Sequence, residues 1–339
     1  MSLPRLSSLS QLSVLADRLP VADARAAEAA RARQNSLTKP PGSLGRLEQI
    51  AEFMASWRGT ARPEIRKAQA LVFAGNHGIC AQGVNPYPQE VTAQMVANFR
   101  AGGAAINQLC AANGAELSVI ALELERPTRD FTEAPAMDEL ECLDALWQGA
   151  AAVDASADIL ILGEMGIGNS TVAAALAAAC FGGPVAEWVG PGTGSDKAGL
   201  ARKVDAIERG LKRHDDAIGS AGEVLRALGG REQAAICGAV LAARAERIPV
   251  ILDGFICTAA AAVLYAADRR LLDHCLVGHV SAEPGHRKLL AAIHKRPVLE
   301  FDMRLGEGSG AALALGIVRS ALACHNGMAT FGEAGVSEG

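Results

Sequence analysis

Four short apolar runs in this chain stop at glycine, and that repeated junction limits the possible folds more than any other feature. Residues 70–73 end at Gly75-Asn76-His77-Gly78, and residues 159–162 run into Gly163-Glu164-Met165-Gly166-Ile167-Gly168-Asn169-Ser170. Residues 250–252 stop at Asp253-Gly254 and residues 276–277 at Gly278-His279, while 117–122 supply a fifth apolar run. Helical patterns separate these runs. They predict strands of a mainly parallel sheet joined by crossover helices, an α/β fold. In open sheets of this kind ligands sit beyond the carboxyl ends of the strands, where these glycines cluster.

Before residue 60 the pattern is helical. Residues 22–33 are rich in Ala, Arg and Glu, and Leu44, Leu47, Ile50, Met54 and Trp57 mark one buried face at spacings of three and four. Lys39-Pro40-Pro41-Gly42-Ser43 breaks the chain between the two helices. The expected organisation is a helical segment over 1–60, an α/β catalytic domain over 61–325 and a flexible tail over 326–339. Aromatic residues are only 4 %, so Ala, Leu, Val and Ile must fill the core, which suits helices packed closely on a sheet.

Several function classes are excluded. The net charge is -5 without a basic stripe, which argues against a nucleic-acid partner. The most apolar runs, 172–181 and 259–267, fall well short of the roughly 20 residues needed to span a bilayer, so no membrane is expected. Residues 1–17 lack the apolar centre of a signal peptide. Eight scattered cysteines without a CxxC pair fit a reducing compartment, and the chain is expected in the cytoplasm. The histidines show no metal-ligand spacing, no GxSxG elbow is present, and neither a metal nor a cofactor is expected.

Three glycine loops carry the candidate chemistry. Residues 163–171 follow a strand and precede the Ala-rich stretch 172–179, so they are either a phosphate cradle at a helix start or a structural turn. They match neither a Walker loop nor the GxGxxG spacing. The loop Gly190-Pro191-Gly192-Thr193-Gly194-Ser195-Asp196 precedes a helix marked by Leu200, Val204, Ile207 and Leu211. On that helix Lys203 either reaches a phosphate or lies in solvent. In Arg304-Leu305-Gly306-Glu307-Gly308-Ser309-Gly310, Glu307 stands between glycines ahead of an apolar helix over 311–324. It is either a helix cap or an open carboxylate, kept anionic by the helix end yet made more basic by apolar surroundings. His77 is read as pocket lining or as bonded to backbone, and His279, Ser281 and Glu283 as a polar strand end.

Taken together, the motifs resemble the nicotinate-nucleotide–dimethylbenzimidazole phosphoribosyltransferase family, from assembly of the lower ligand of cobalamin. The resemblance rests on Lys39-Pro40-Pro41-Gly42-Ser43-Leu44-Gly45-Arg46-Leu47-Glu48, Asn76-His77-Gly78 and Tyr87-Pro88-Gln89-Glu90-Val91-Thr92. It continues through the 163–171 loop, Asp253-Gly254-Phe255, His279-Val280-Ser281-Ala282-Glu283 and the stretch 304–313, in family order. It implies that Glu307 is the catalytic base, that Glu164 lies at the reacting centre, and that Gly166, Gly192 and Lys203 hold the nucleotide phosphate. It further implies that Tyr87, Met95 and Met165 belong to the pocket for the incoming base. The implied architecture is a Rossmann-like large domain with a small helical domain built from both chain ends, assembled as a homodimer. Many relatives carry Asp where this chain has Asn76. The substrates implied are nicotinate mononucleotide and a benzimidazole base; transfer to a purine or phenolic acceptor, or a non-catalytic nucleotide binder, are the competing readings.

Overall fold

Asp23 accepts hydrogen bonds from the amides of Arg25 and Ala26 and so starts the first long helix, α1, Ala24–Ser36. After the proline break comes α2, Arg46–Arg58, which closes on Gly59 in the left-handed conformation. The computed structural model describes residues 5–337; Met1 to Pro4, and the last two residues of the expected tail, lie outside the described residues.

The first strand, β1, Ala68–Ala74, leads to α3, Glu90–Ala101, and α4, Ala105–Asn113. Then come β2, Ala115–Ala121, α5, Glu139–Ala151, and β3, Ile159–Met165. Next are α6, Asn169–Phe181, α7, Lys197–Arg213, α8, Ala221–Leu228, and α9, Arg231–Ala245. They are followed by β4, Val250–Leu252, α10, Phe255–Ala267, β5, Cys275–Val280, and α11, Pro284–Ala292. The chain closes with β6, Pro297–Glu300, α12, Ser309–Gly327, and α13, Phe331–Ala334.

The six strands among the described residues pair in parallel, in the order β2-β1-β3-β4-β5-β6. Strand alternation sorts the core into two layers. Leu71, Phe73, Leu160, Leu162, Val250 and Leu252 face the cluster built with α5, α6, α8, α9 and α10. Their neighbours Ala70, Val72, Ile159, Ile161 and Ile251 face the opposite cluster, built with α2, α4 and α12. Both faces are therefore covered, which is why the strands read as continuous apolar runs. Small residues do bring helices together: a β-carbon on Gly238 of α9 would overlap the Leu146 carbonyl oxygen of α5.

Some local expectations change. Residues 276–277 do not end their strand, because β5 continues through Gly278 and His279, where His279 pairs with Leu299 of β6. No apolar run announces β6, a four-residue edge strand that starts on a proline and is only half buried. The helix expected from 172 starts earlier, at Asn169. The chain ends meet: Arg33 of α1 donates to the carbonyls of His325, Asn326 and Met328, and Leu37 pairs with Thr330 in an antiparallel bridge. Among the described residues no helix is long and apolar enough to cross a membrane.

Candidate active site

The carboxyl ends of β3, β4 and β5 and the loop after β6 frame an open cleft of about 770 Å³. Glu164, Met165, Gly166, Gly192, Lys203 and Glu307 all line it. Tyr87 and Met95 are not among its lining residues. Tyr87 is half exposed just beyond Val84, Asn85 and Pro86, which do reach the cleft, and Met95 of α3 packs on the apolar layer that includes α12.

The left-handed turn Gly306-Glu307-Gly308, with φ of 86°, 65° and 86°, places Glu307 at the mouth of α12. A non-glycine residue held there costs about 1 kcal/mol, and the surrounding bonds maintain it. Asp253, at the end of β4, accepts from the amides of Gly308 at 3.1 Å and Ala311 at 2.9 Å, so it caps the helix. The turn also packs directly on β3: a β-carbon on Gly163 would lie 2.5 Å from the Gly308 nitrogen and 2.6 Å from the Glu307 carbonyl oxygen. Glu307 is therefore not the helix cap. Its carboxylate is buried, and Oε2 has no hydrogen-bond partner. Burial, reinforced by the charge of Asp253, raises its pKa to about 7.

Glu164 approaches the same turn from β3. The Asn169 amide donates to its Oε2, while a β-carbon on Gly306 would stand 2.5 Å from Oε1. Burial first, then the nearby carboxylates Asp253, Glu232 and Glu307, push its pKa up to about 8 against the opposing bond from Asn169. At neutral pH Glu164 is mostly protonated and Glu307 is poised between its two states. Burial likewise raises Asp253, opposed by His279 at 3.6 Å and by its backbone donors.

The other end of the cleft gathers polar groups around Lys203. Lys203 of α7 is 2 % exposed, so it does not lie in solvent. Its Nζ donates to Ser170 Oγ at 3.1 Å and to the Gly190 carbonyl at 3.0 Å. A β-carbon on Gly192 would stand 2.8 Å from Ser170 Oγ and 3.2 Å from Lys203 Nζ, so these groups converge. Ser170 also belongs to the first turn of α6 and, with Asn169, lines the cleft. Burial lowers the pKa of Lys203, and Glu283 opposes that shift.

Sequence reasoning missed how these groups are braced, and His77, read as pocket lining or bonded to backbone, does neither with its side chain. His77 lies behind Gly166 with its Nε2 3.0 Å from Glu232 Oε1 of α9, and both side chains are fully buried. Glu232 carried no sequence signal at all, being one acid at a helix start. Asp253 stood inside a matching motif but gave no hint of capping a helix 55 residues away. Asn76 turns its amide to the Leu124 carbonyl and does not line the cleft. Among the described residues no three His, Cys, Asp or Glu side chains converge in a metal-holding group.

A family model described as a phosphoribosyltransferase matches residues 19–336. The chain is 66 % identical over 333 residues to a protein of Rhodobacter capsulatus named nicotinate-nucleotide–dimethylbenzimidazole phosphoribosyltransferase, covering 98 % of this chain and 99 % of that one. A protein of the same name from Novosphingobium aromaticivorans is 60 % identical, with 99 % of each chain covered. A crystal structure of CobT from Thermus thermophilus superposes with a TM-score of 0.88 at 42 % identity, covering 93 % of this chain and 100 % of that one.

Proposed function

We infer how this cleft works from one premise: the chain belongs to the nicotinate-nucleotide–dimethylbenzimidazole phosphoribosyltransferase family. It is a pentosyltransferase of cobalamin nucleotide-loop assembly. It passes the 5-phosphoribosyl group of nicotinate mononucleotide to 5,6-dimethylbenzimidazole, giving α-ribazole 5′-phosphate and nicotinate.

In the proposed mechanism the phosphate sits among Gly166, Gly192, Ser170 and Lys203, and the anomeric carbon faces Glu307 and Glu164. The bond from that carbon to the pyridinium nitrogen breaks, and its electron pair neutralises the departing ring. One benzimidazole nitrogen attacks the opposite face, inverting β to α. The other nitrogen loses its proton to Glu307, a general-base contribution of about 10²–10⁴-fold. Positive charge gathers on the sugar as the bonds exchange. The charge of Asp253, which raises both Glu164 and Glu307, favours a cation beside these carboxyl groups. Met165 lines the same cleft and is assigned with Tyr87 and Met95 to the side that receives the base.

The observation that carries this reading is the buried, unpartnered Oε2 of Glu307, held in a left-handed turn across the cleft from Lys203. The test is one incubation of purified protein with nicotinate mononucleotide and a panel of dimethylbenzimidazole, benzimidazole, adenine and p-cresol, read by mass spectrometry. α-Ribazole 5′-phosphate should dominate. Release of nicotinate only with the purine or the phenol would overturn the acceptor, and no release with any base would overturn the activity.

We also propose a cytoplasmic homodimer in which residues 1–60 and the C-terminal end form a small helical domain beside a 61–325 catalytic domain. The bonds from Arg33 to residues 325–328 support grouping the two ends, and eight free cysteines support a reducing compartment. Light scattering of the purified protein at twice the chain mass of 35.0 kDa is the expected result.

A further inference from the structure

Beyond β5 the chain turns through Ser281-Ala282-Glu283 into α11, and that turn is fixed from below. The Ser281 amide donates to His286 Nδ1 at 2.8 Å, so this nitrogen carries no proton. The ring proton is then on Nε2, which faces Thr258 Oγ1 of α10 at 3.2 Å. Burial lowers the pKa of His286 to about 3, so the neutral ring persists at physiological pH. Ser281 Oγ accepts in turn from the Glu283 amide at 3.2 Å.

The Glu283 side chain leaves this turn towards the anion end of the cleft and is 6 % exposed. Its Oε1 accepts from the Gly192 amide at 2.8 Å, and its Oε2 has no partner. Arg304 donates to the carbonyl of the same glycine at 3.2 Å, so Gly192 is held through both its N–H and its C=O. Lys203 from α7 and Arg304 from the loop after β6 are the charged groups that act on Glu283. A carboxylate beside an anion site repels the anion. Its presence therefore has to be offset by what it fixes, the geometry of the Gly192 loop.

We propose that Glu283 is a positioning residue of the anion subsite, holding the Gly192 loop against Lys203, and that His286 fixes the turn from which it reaches. The proposal rests on the assignment of that subsite to the nucleotide phosphate. The bonds of Glu283 go to Gly192, whereas the bonds of Asn169 and Asp253 go to Glu164 and the start of α12. Loss of Glu283 therefore acts on nucleotide binding and leaves the chemical step alone.

The test compares Glu283→Ala, Glu283→Gln and Lys203→Met in the full chain. Initial rates are measured with nicotinate mononucleotide varied, and inorganic phosphate serves as a competing probe. Glu283→Ala is expected to raise the nucleotide KM about tenfold or more, the scale of a lost charged hydrogen bond, and to weaken phosphate inhibition to match. The turnover number and the KM for the base should stay within about twofold. Glu283→Gln keeps an oxygen for the Gly192 amide and should return the nucleotide KM to within about threefold of the parent. An unchanged nucleotide KM in Glu283→Ala, a loss confined to turnover, or a Gln variant as impaired as Ala each overturns the proposal. An unchanged KM in Lys203→Met removes the phosphate assignment itself, and the proposal with it. Should Glu283→Ala fail to fold, Glu283→Asp, which withdraws the carboxylate by one methylene, must raise the nucleotide KM, and no rise overturns the proposal.

Discussion

Gly163→Ala tests whether the position of Glu307, and not merely its chemistry, sets the rate. The added β-carbon would lie 2.5 Å from the Gly308 nitrogen and 2.6 Å from the Glu307 carbon and oxygen, where ordinary contact begins at 3.4 Å. Those neighbours are backbone, so no side chain can swing aside. The turn must retreat by about 1 Å, a displacement that costs on the order of 10²-fold in rate when it misplaces a reacting group. Overpacking adds about 1–3 kcal/mol of destabilisation, which is tolerable in a domain of this size. The end of the cleft proposed for the phosphate is built by Lys203, Ser170 and Gly192 and is separate from this contact. Calorimetry should therefore find nucleotide affinity within about threefold of the parent, while kcat for α-ribazole 5′-phosphate falls by about 10². A folded Gly163→Ala protein with kcat within about threefold of the parent would refute the reasoning.

The other predictions follow from the same contacts. Burial raises the Glu164 pKa to about 8 from 4.5, so its contribution to stability is complete below pH 4.5 and is lost as the pH climbs through 8. Glu164→Gln, which cannot ionise, should melt above the parent by roughly 3 °C or more at pH 9 and by less at pH 5 in a thermal scan, while turning over more slowly. Asp253→Asn removes a charge that raises Glu307 and leaves one amide at the start of α12 without its acceptor. Its kcat should fall about tenfold, with the pH midpoint of the remaining activity moved below that of the parent. Gly238→Ala should destabilise the chain by about 1–3 kcal/mol in denaturant melts without changing the nucleotide KM, because its β-carbon would meet Leu146 of α5 far from the cleft.

The strands read most plainly from sequence are those buried on both faces, such as 70–73 and 159–162, whose unbroken apolar runs end in glycine, although 117–122 also marked the half-exposed edge strand β2. β6 escaped because an edge strand of four residues needs no such run. Glu307 was legible because glycine flanks it on both sides, and Lys203 because it follows a glycine loop into a helix. Neither position told how deeply the group is buried. Distant elements surround both groups: Asp253 at the end of β4 anchors the turn that carries Glu307, and Ser170 of α6 and the Gly190 carbonyl hold the Lys203 amine. Glu232 and Asp253 act through partners far away in the chain, His77 and the α12 amides, and single acids of that kind leave no local pattern. His286 was invisible for the same reason, since its two partners belong to the neighbouring turn and to α10.

The pH dependence of kcat, in the parent and in Glu307→Gln, tests the assignment of the base most directly. The parent's kcat should rise with pH to a plateau, with a midpoint near the Glu307 value of about 7. Glu307→Gln should bind the nucleotide nearly as well, turn over at least roughly tenfold more slowly, and lose that rising limb. A Gln variant that keeps both the parent's kcat and its rising limb would contradict the account.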